Sequence, residues 1–313
     1  MTPRVENQGS SPIESIQPGG GYFFELEKSW HRCRRFFLRL FFPGHVKKMA
    51  GLRFGECPGC PHDIIDSRDL KHYSNVCGFS FPPATDPYAW RKNLWFARPG
   101  IMELLCFSAV MLPLAALTAA LGQFHHPGWW APSAVVCVFW LFIVSFFRNP
   151  PRKIPSDPSL AVSPADGVVS HLEEVDEPGM GKMFRVSVFL SVFNVHVNRS
   201  PVAGVVRQAL YFPGEFLDAR DQQCSRRNEQ LWLDLETAEG YTVRVKQIAG
   251  AIARRIVCQV GPGHPLQRGE LYGMIKFGSR TDFLIPLERV GEVRVRVGSK
   301  VSGGSTILMK LKD

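Results

Sequence analysis

The sequence lacks the short motifs by which many enzymes are recognised. Its 313 residues contain no Walker phosphate loop, no GxGxxG fingerprint, no GxSxG nucleophile elbow and no HExxH metal motif. The N-terminal stretch MTPRVENQGSSP is polar and is followed by no early apolar run, so no secretory signal peptide is expected. The usual sequence routes to nucleotide, serine-hydrolase and zinc-protease chemistry are therefore missing.

Charged residues are absent from two long apolar runs, residues 104–121 and 129–147. Each has about the 18–20 residues that a helix needs to cross ~30 Å of hydrocarbon. The link GQFHHPG contains neither lysine nor arginine. The basic residues of this region flank the two runs: Arg91, Lys92, Arg98, Arg148, Arg152 and Lys153. The positive-inside tendency therefore predicts a transmembrane helical hairpin over 101–147, in the cell membrane, with the following domain facing the cytoplasm. A buried helical hairpin in a soluble domain is the alternative.

The formal net charge of +9 favours an anionic partner, either nucleic acid or a membrane surface. The basic residues flank apolar spans and form no stripe with stacking aromatics, so no nucleic acid is expected and an anionic membrane is preferred. Residues 28–42 interleave arginine with aromatic residues. This pattern predicts either a basic amphipathic helix on the membrane surface or a solvated helix that packs on the main domain.

The first 97 residues divide into two segments. Residues 1–20 are rich in Gly, Ser and Pro and are expected to be disordered. Residues 21–97 form an extension in which Cys57, Cys60, His72 and Cys77 suggest a Cys3His zinc knuckle, with His62 competing for the histidine position. Free thiols in a loop-rich segment are the alternative. Eight cysteines in a cytoplasmic chain are expected to be thiols or metal ligands and not disulfides.

From residue 148 to 313 short β-rich runs alternate with Gly/Pro turns. This spacing predicts a mostly β sandwich or barrel, with lipoyl-like C-terminal hairpins in GEVRVRVGSKVSGGSTIL. A lipoyl-type carrier or binding module would need a lysine at a hairpin tip, typically between two methionines. Lys276 and Lys300 lack that setting.

Three clusters in this domain carry chemistry: SPADG (163–167), FNVHVNRSP (193–201) and KFGSR (276–280). Each has a structural explanation when taken alone. PADG is a common turn, a histidine at a strand end is often satisfied locally, and Gly-Ser after an apolar strand is often a bulge.

Together and in this order, the clusters resemble the phosphatidylserine decarboxylase family, in particular its short bacterial and archaeal branch with archaetidylserine decarboxylase-like proteins. The resemblance runs from FFRNPPRKIP through QIAGAIARRIV and GMIKFGSR to VRVGSKVSGGSTIL, about residues 146–313. Residues 1–95 have no recognised counterpart and look like an added module.

The resemblance implies a pyruvoyl enzyme made by self-cleavage at Gly278-Ser279. The β chain would end at residue 278 and the α chain would span 279–313, and the two would form a heterodimer. Ser279 would become the pyruvoyl group, which forms a Schiff base with phosphatidylserine. Loss of CO2 would then give phosphatidylethanolamine.

A second glycine-serine bond, Gly304-Ser305, competes for the cleavage site. Relatives in the long-chain branch cleave at LGST or GGST, whereas GMIKF before Gly278 matches the strand that leads into the cleaved bond throughout the family. A cut at Ser305 would leave only a very short fragment. We therefore expect cleavage at Ser279 and a structural turn at Ser305.

The resemblance also implies roles for other residues. His196 inherits a role in the decarboxylation step, and Asp166 is a candidate for orienting or deprotonating the serine. Arg199 replaces the histidine that directly precedes Ser-Pro in the long branch, so an Asp-His-Ser relay is not expected in its usual form. Arg199 is a candidate for binding lipid phosphate or carboxylate, and Asn228 and Glu229 are weaker candidates for substrate contacts. The alternative function is a non-processed, membrane-anchored lipid- or protein-binding module.

Overall fold

The long helices lie in the first half of the chain and the strands in the second. The computed structural model describes residues 9–221, 223–251, 255–276 and 278–312. The helices are α1 (Tyr22–Phe41), α2 (Pro43–Leu52), α3 (Ile101–Phe124), α4 (Trp130–Phe146) and α5 (Cys224–Arg227). Short 3-10 helices cover Asp69–His72, Ala89–Asn93, Arg98–Gly100, Pro127–Trp129 and Leu287–Arg289.

The strands form three antiparallel sheets. They are β1 (Leu160–Val162), β2 (Gly167–Glu177), β3 (Gly181–Leu190), β4 (Val197–Arg199), β5 (Gly204–Phe212), β6 (Gln230–Glu236), β7 (Thr242–Ala249), β8 (Arg255–Cys258), β9 (Pro265–Leu266), β10 (Leu271–Lys276), β11 (Ser279–Pro286), β12 (Val290–Val293), β13 (Lys300–Val301) and β14 (Ile307–Leu311). The prediction of a mostly β domain after residue 148 is confirmed.

The largest sheet has eight strands in the order β13-β2-β3-β11-β7-β6-β5-β9 and curls into a half-barrel. Strand β11 is central in this sheet and pairs with β3 on one side and β7 on the other. Two three-stranded sheets, β4-β10-β8 and β1-β14-β12, complete the domain. The main core includes Val188, Leu233, Val245 and Phe283, all fully buried. Burial of such aliphatic and aromatic surface is the main force that holds the sheets together.

The C-terminal strands exchange partners between sheets. Strand β13 pairs with β2, whereas β14 pairs with β1 and β12. The turn between β13 and β14 therefore connects two sheets and does not close a simple hairpin of adjacent strands.

Helices α3 and α4 pack against each other as a hairpin. Ser133 Oγ donates a hydrogen bond to the Ala115 carbonyl (3.0 Å), and Trp140 Nε1 donates to Ser108 Oγ (2.9 Å). By length and composition both helices are able to cross a membrane, and most of their side chains are not buried within the protein. The polar contacts lie between the helices, where they are satisfied by protein groups.

Residues 9–20 pack against the β domain, contrary to the expected disorder over 1–20. Ile16 is buried, its N–H donates to the His72 carbonyl (2.8 Å), and its carbonyl accepts from Cys258 N–H (2.8 Å). Composition alone missed this segment because its apolar contacts come from distant parts of the chain. Residues 1–8 lie outside the described residues.

The cysteine prediction is wrong at one pair, because Cys57 and Cys60 form a disulfide. The other six cysteines are free thiols. The Cys77 sulfur lies 2.9 Å from that of Cys60, so three sulfurs share one loop region.

Candidate active site

The Gly278-Ser279 bond lies at a corner between two sheets. Strand β10 of a three-stranded sheet ends at Lys276, and β11 of the eight-stranded sheet begins at Ser279. Gly278 turns the corner with φ of +66°, a backbone conformation that a residue with a side chain adopts only with strain. A Cβ on Gly250 would lie only 2.7 Å from the Gly278 carbonyl oxygen. The backbone before Ser279 is therefore tightly confined.

His196 contacts this corner directly. Its Nε2 accepts a hydrogen bond from the Gly278 N–H (3.1 Å), and its Nδ1 lies 2.9 Å from the Asn194 carbonyl oxygen. Because Nε2 accepts, the ring proton belongs on Nδ1, which donates to Asn194. Burial, together with the nearby charge of Arg148, lowers the pKa of His196 to about 4, although the hydrogen bond to the Asn194 carbonyl opposes this shift. The imidazole is therefore neutral at pH 7.

The Ser279 side chain is fully buried, and its Oγ has no hydrogen-bond partner among the described residues. A buried hydroxyl without a partner is unfavourable and is unusual outside functional sites. The residue pairs in register with Leu190 of β3 and Ala249 of β7, so its backbone is fixed on both sides. The structure thus fixes the backbone of Ser279 and leaves its hydroxyl without a hydrogen-bond partner among the described residues.

A polar network that sequence reasoning missed lies beside this serine. Asn198 Nδ2 donates to Thr281 Oγ1 (3.1 Å), and Gln247 Nε2 donates to Asn198 Oδ1 (2.8 Å). All three side chains are fully buried, and Thr281 lies on the same face of β11 as Ser279 because side chains alternate along a strand. Their strands read SRTDFLIP, VNR and TVRVKQIA, so each residue has other polar residues beside it and no local sequence signal marks it.

Asp166 lies at the other glycine-serine bond. Its carboxylate accepts hydrogen bonds from Arg152 Nη2 (2.8 Å) and from the Gly303 N–H (2.8 Å). It makes no hydrogen bond to Ser279, whose hydroxyl has no partner among the described residues. The role of Asp166 in activating Ser279 stays a prediction.

Arg199 lies near Asp166 in a cavity of about 700 Å³. Its guanidinium donates to the Gly269 carbonyl (3.0 Å) and to Asn149 Oδ1 (2.8 Å), while its buried Nε has no partner among the described residues. Burial and the neighbouring charge of Arg152 lower the pKa of Arg199. Among the described residues, four arginines line this cavity against one acidic residue, Glu270: Arg91, Arg98, Arg152 and Arg199. The cavity is therefore suited to an anion.

Asn228 and Glu229 have structural contacts. The Asn228 amide donates to the carbonyls of Leu217 (2.9 Å) and Ala249 (2.7 Å), and its oxygen accepts from the Leu217 N–H (2.9 Å). It therefore holds the end of β7 beside Ser279. Glu229 is buried, and burial raises its pKa. Their role as substrate contacts stays a prediction.

The predicted zinc ligands do not come together. Cys57, Cys60 and Cys77 cluster, but His72 lies in a different group with Glu27 and His31. The prediction of a Cys3His zinc knuckle that includes His72 is therefore wrong. Sequence spacing placed His72 five residues before Cys77, but the intervening turn directs the two side chains to separate environments.

A buried ion pair that sequence reasoning also missed joins the apolar hairpin to the strand before the corner. Lys276 of β10 contacts the carboxylate of Glu103 in the first turn of α3. Both residues are about 95% buried. Nothing in the local sequence relates positions so far apart.

The fold and site together define a mostly β domain built around an interior glycine-serine bond. The family model described as phosphatidylserine decarboxylase matches residues 139–309, more than half of the chain. The chain therefore belongs to the phosphatidylserine decarboxylase family.

Curated relatives agree with this assignment. A phosphatidylserine decarboxylase proenzyme of Rhodopirellula baltica is 43% identical over 248 residues, which cover 78% of this chain and 100% of the relative. Proteins of the same name from Citrifermentans bemidjiense and Burkholderia pseudomallei are 46% and 42% identical, covering 67% and 66% of this chain and 95% and 93% of the relatives. About a fifth of this chain thus has no counterpart in the first relative.

Proposed function

We propose that this protein is a self-cleaving, pyruvoyl-dependent decarboxylase that converts phosphatidylserine to phosphatidylethanolamine and CO2. The observation that carries the proposal is the Gly278-Ser279 corner, where a buried serine hydroxyl with no partner among the described residues follows a glycine held by His196. The relatives named as phosphatidylserine decarboxylase proenzymes support both the substrate and a processed precursor.

The residues at the corner fit the formation of a pyruvoyl group. Ser279 Oγ would attack the Gly278 carbonyl carbon, and the amide nitrogen would leave to give an ester and a free amine. Elimination would then break the Cβ–Oγ bond, leaving a carboxylate on Gly278 and dehydroalanine at residue 279. Water would hydrolyse the tautomer of dehydroalanine to the ketone and release ammonia. Glycine at residue 278 suits the positive φ of +66°, and a Cβ there would meet only Val192 Cγ1, at 3.8 Å.

When formed, the pyruvoyl group supplies a carbonyl that binds the substrate amine and accepts the electrons released as CO2 leaves. His196 would accept and donate the proton that is transferred during decarboxylation. Its imidazole is neutral, holds a proton on Nδ1 against Asn194 and directs the Nε2 lone pair at the Gly278 N–H of the corner. A residue of this kind serves as a general base and, once protonated, as a general acid.

Arg199 and Arg152 would bind the anionic part of the substrate. Both line the arginine-rich cavity, which lies between the extension, the tether after α4 and the β domain. A guanidinium binds phosphate or carboxylate through paired hydrogen bonds. Phosphatidylserine carries both groups.

The apolar hairpin α3–α4 would anchor the enzyme in the cell membrane with the β domain in the cytoplasm. Its exposed apolar side chains and the basic residues at its two ends support this orientation. The domain would then meet phosphatidylserine at the surface of an anionic membrane, and the cleaved β and α chains would remain together as a heterodimer.

Intact mass spectrometry of the purified protein tests the proposal. The wild type should give a fragment of residues 279–313 with a pyruvoyl N-terminus, and Ser279→Ala should remain a single 35.1 kDa chain. Ser305→Ala is the matched control and should cleave as the wild type does. A wild type that remains uncleaved would overturn the proposal and favour a membrane-anchored binding module.

A further inference from the structure

Helix α1 exposes most of its apolar face and buries two polar side chains together with Phe24. Trp30, Phe36 and Phe41 are 64%, 69% and 60% exposed, whereas Glu27 and His31 face the protein and are buried. This arrangement reverses that of a helix on the surface of a soluble protein. The face adjoins the apolar hairpin, because the ring of Phe23 in α1 packs 5.8 Å from that of Phe107 in α3. Such a continuous apolar surface is typical of a helix that lies in a membrane interface.

The flank of α1 beside this face forms one wall of a cavity of about 190 Å³. The opposite wall comes from the loop after the cysteine pair and from the 3-10 helix over Asp69–His72. The cavity is lined by Glu25, Lys28, His31, Arg32, Arg35, Pro61, His62, His72 and Tyr73. Sites for whole drug-sized ligands measure ~300–1,000 Å³, so this cavity is suited to a headgroup.

The charges around the cavity are mainly positive. Lys28, Arg32 and Arg35 line it against one acidic residue, Glu25, which pairs with Lys28 (2.6 Å). Arg35 also contacts the buried Asp69 (3.3 Å). A concave site with this excess of cations attracts anions.

His72 lies at the inner wall and has no hydrogen-bond partner in the part of the chain that the structure describes. It is 3% exposed, and neither of its ring nitrogens is bonded within the described residues. Burial, together with the charge of Lys71, lowers its pKa to about 2, so the ring is neutral and offers one N–H donor. A buried donor without an acceptor is unfavourable, and a ligand oxygen would satisfy it.

A divalent cation is the competing ligand, because Glu27, His31 and His72 are grouped closely enough to hold one. Two observations disfavour it. Glu27 is already ion-paired with Lys71. A metal ion would add charge to a site that is already surrounded by cations.

We propose that the cavity beneath α1 binds the phosphate group of an anionic phospholipid, with Lys28 and Arg32 at its mouth and His72 at its inner wall. The mouth lies on the flank of α1 that adjoins the apolar face, which is where the headgroup layer would lie. This site is separate from the cavity at Arg199 and does not depend on the decarboxylase proposal.

Calorimetric titration of the full-length protein in neutral detergent tests this site without any turnover. The ligands are short-chain phosphatidic acid, which has no amine to react, short-chain phosphatidylcholine, inorganic phosphate and Zn²⁺. The variant Lys28→Gln/Arg32→Gln removes two cations at the cavity mouth. The matched control, Lys47→Gln/Lys48→Gln, removes two exposed cations from α2 outside the cavity.

Phosphatidic acid should bind the wild type and the control equally, and the cavity variant at least about tenfold more weakly, as expected for one lost charge-assisted hydrogen bond. An equal loss in both variants would reduce the site to general electrostatic attraction and overturn the proposal. Inorganic phosphate that binds as tightly as phosphatidic acid, and is weakened by the same cavity variant, would show that the site binds free phosphate and would overturn the lipid proposal. Zn²⁺ binding that His72→Gln abolishes, without any phosphatidic acid binding, would assign the cluster to a metal.

Discussion

The two glycine-serine bonds of this chain share a local conformation and differ in their surroundings. Gly278 and Gly304 both have positive φ, +66° and +77°. The Gly278 N–H donates to the imidazole of His196, whereas the Gly304 N–H donates to the backbone carbonyl of Ser163 (2.8 Å). A positive φ and a following serine are therefore not sufficient to define a reactive bond.

The serines differ in the same way. Ser279 is fully buried at the start of a central strand, and its hydroxyl has no partner within the described residues. Ser305 lies partly exposed in a turn, and its N–H bonds to the Ser302 carbonyl (3.1 Å). A titratable side chain and a fully buried hydroxyl distinguish the Gly278-Ser279 bond from the structural turn at Gly304-Ser305.

The largest expected effect comes from replacing His196, whose imidazole, among the described residues, contacts the Gly278-Ser279 corner and not the Gly304-Ser305 corner. His196→Gln should lower kcat by about 10²–10⁴, the usual contribution of a general acid-base residue. Ser305→Ala should leave kcat within about threefold of the wild type. Because a processing defect would also reduce activity, CO2 release is divided by the amount of 279–313 fragment measured by mass. A normalised rate for His196→Gln equal to the wild type would remove His196 from the reaction.

The lysines that precede the two bonds provide the second comparison. Lys276 is buried and paired with Glu103, whereas Lys300 is exposed. Glu103→Gln leaves a buried ammonium without its partner and should lower the free energy of unfolding by about 3–5 kcal/mol. Lys300→Gln should change it by less than about 0.5 kcal/mol. Urea unfolding in detergent, followed by tryptophan fluorescence, measures both, and equal effects would contradict the contribution assigned to the buried pair.

Lowering the pH should reduce the stability of the protein through His196, which, among the described residues of the two corners, contacts only the Gly278-Ser279 corner. The pKa of His196 falls from its ordinary 6.5 to about 4 on folding, so the unfolded chain binds the proton first as the pH drops. Stability is therefore lost between pH 6.5 and 4, by about 3 kcal/mol for this residue. His196→Gln should lose less stability over this range than the wild type does. Parallel curves of melting temperature against pH would show that His196 is not the group responsible.

The smallest expected effect comes from replacing Gly304, the glycine of the second glycine-serine bond. Gly304→Ala places a side chain in a left-handed backbone conformation and brings its Cβ to 2.9 Å from Arg199 Cδ, so a loss of about 1–2 kcal/mol in stability is expected. Cleavage at Ser279 should continue. Thermal unfolding and intact mass measure the two properties on one sample, and loss of cleavage in this variant would connect the second corner to processing.

Much of the fold and part of the site follow from sequence because the relevant residues act locally. The alternation of short apolar runs with turns predicted the β domain, and charge-free length predicted the two apolar helices. His196 was predicted from the resemblance of its motif to the family, and the structure places it at the corner because β4, which follows it, pairs with β10; its catalytic role stays a prediction.

Other features depend on contacts between distant segments. The Lys276–Glu103 pair joins residues 173 positions apart, and no local pattern relates them. Similarly, Ile16 is buried by partners from elsewhere in the chain, so composition predicted disorder where the structure has packing. His72 was assigned to the cysteines from spacing, although the 3-10 helix that ends at this residue turns it toward Glu27 and His31.

The central position of β11 has a consequence for a chain that is cut at its first residue. Residues 279–312 would supply this middle strand, bonded on both sides, together with β12, β13 and β14 in two sheets. Separating the pieces would break four strand pairings, because β11 pairs with β3 and β7, β13 with β2 and β14 with β1, and it would open the domain core. Two polypeptides would therefore behave as one folding unit without any covalent link. After heat denaturation, recovery would become a bimolecular reaction whose rate depends on protein concentration.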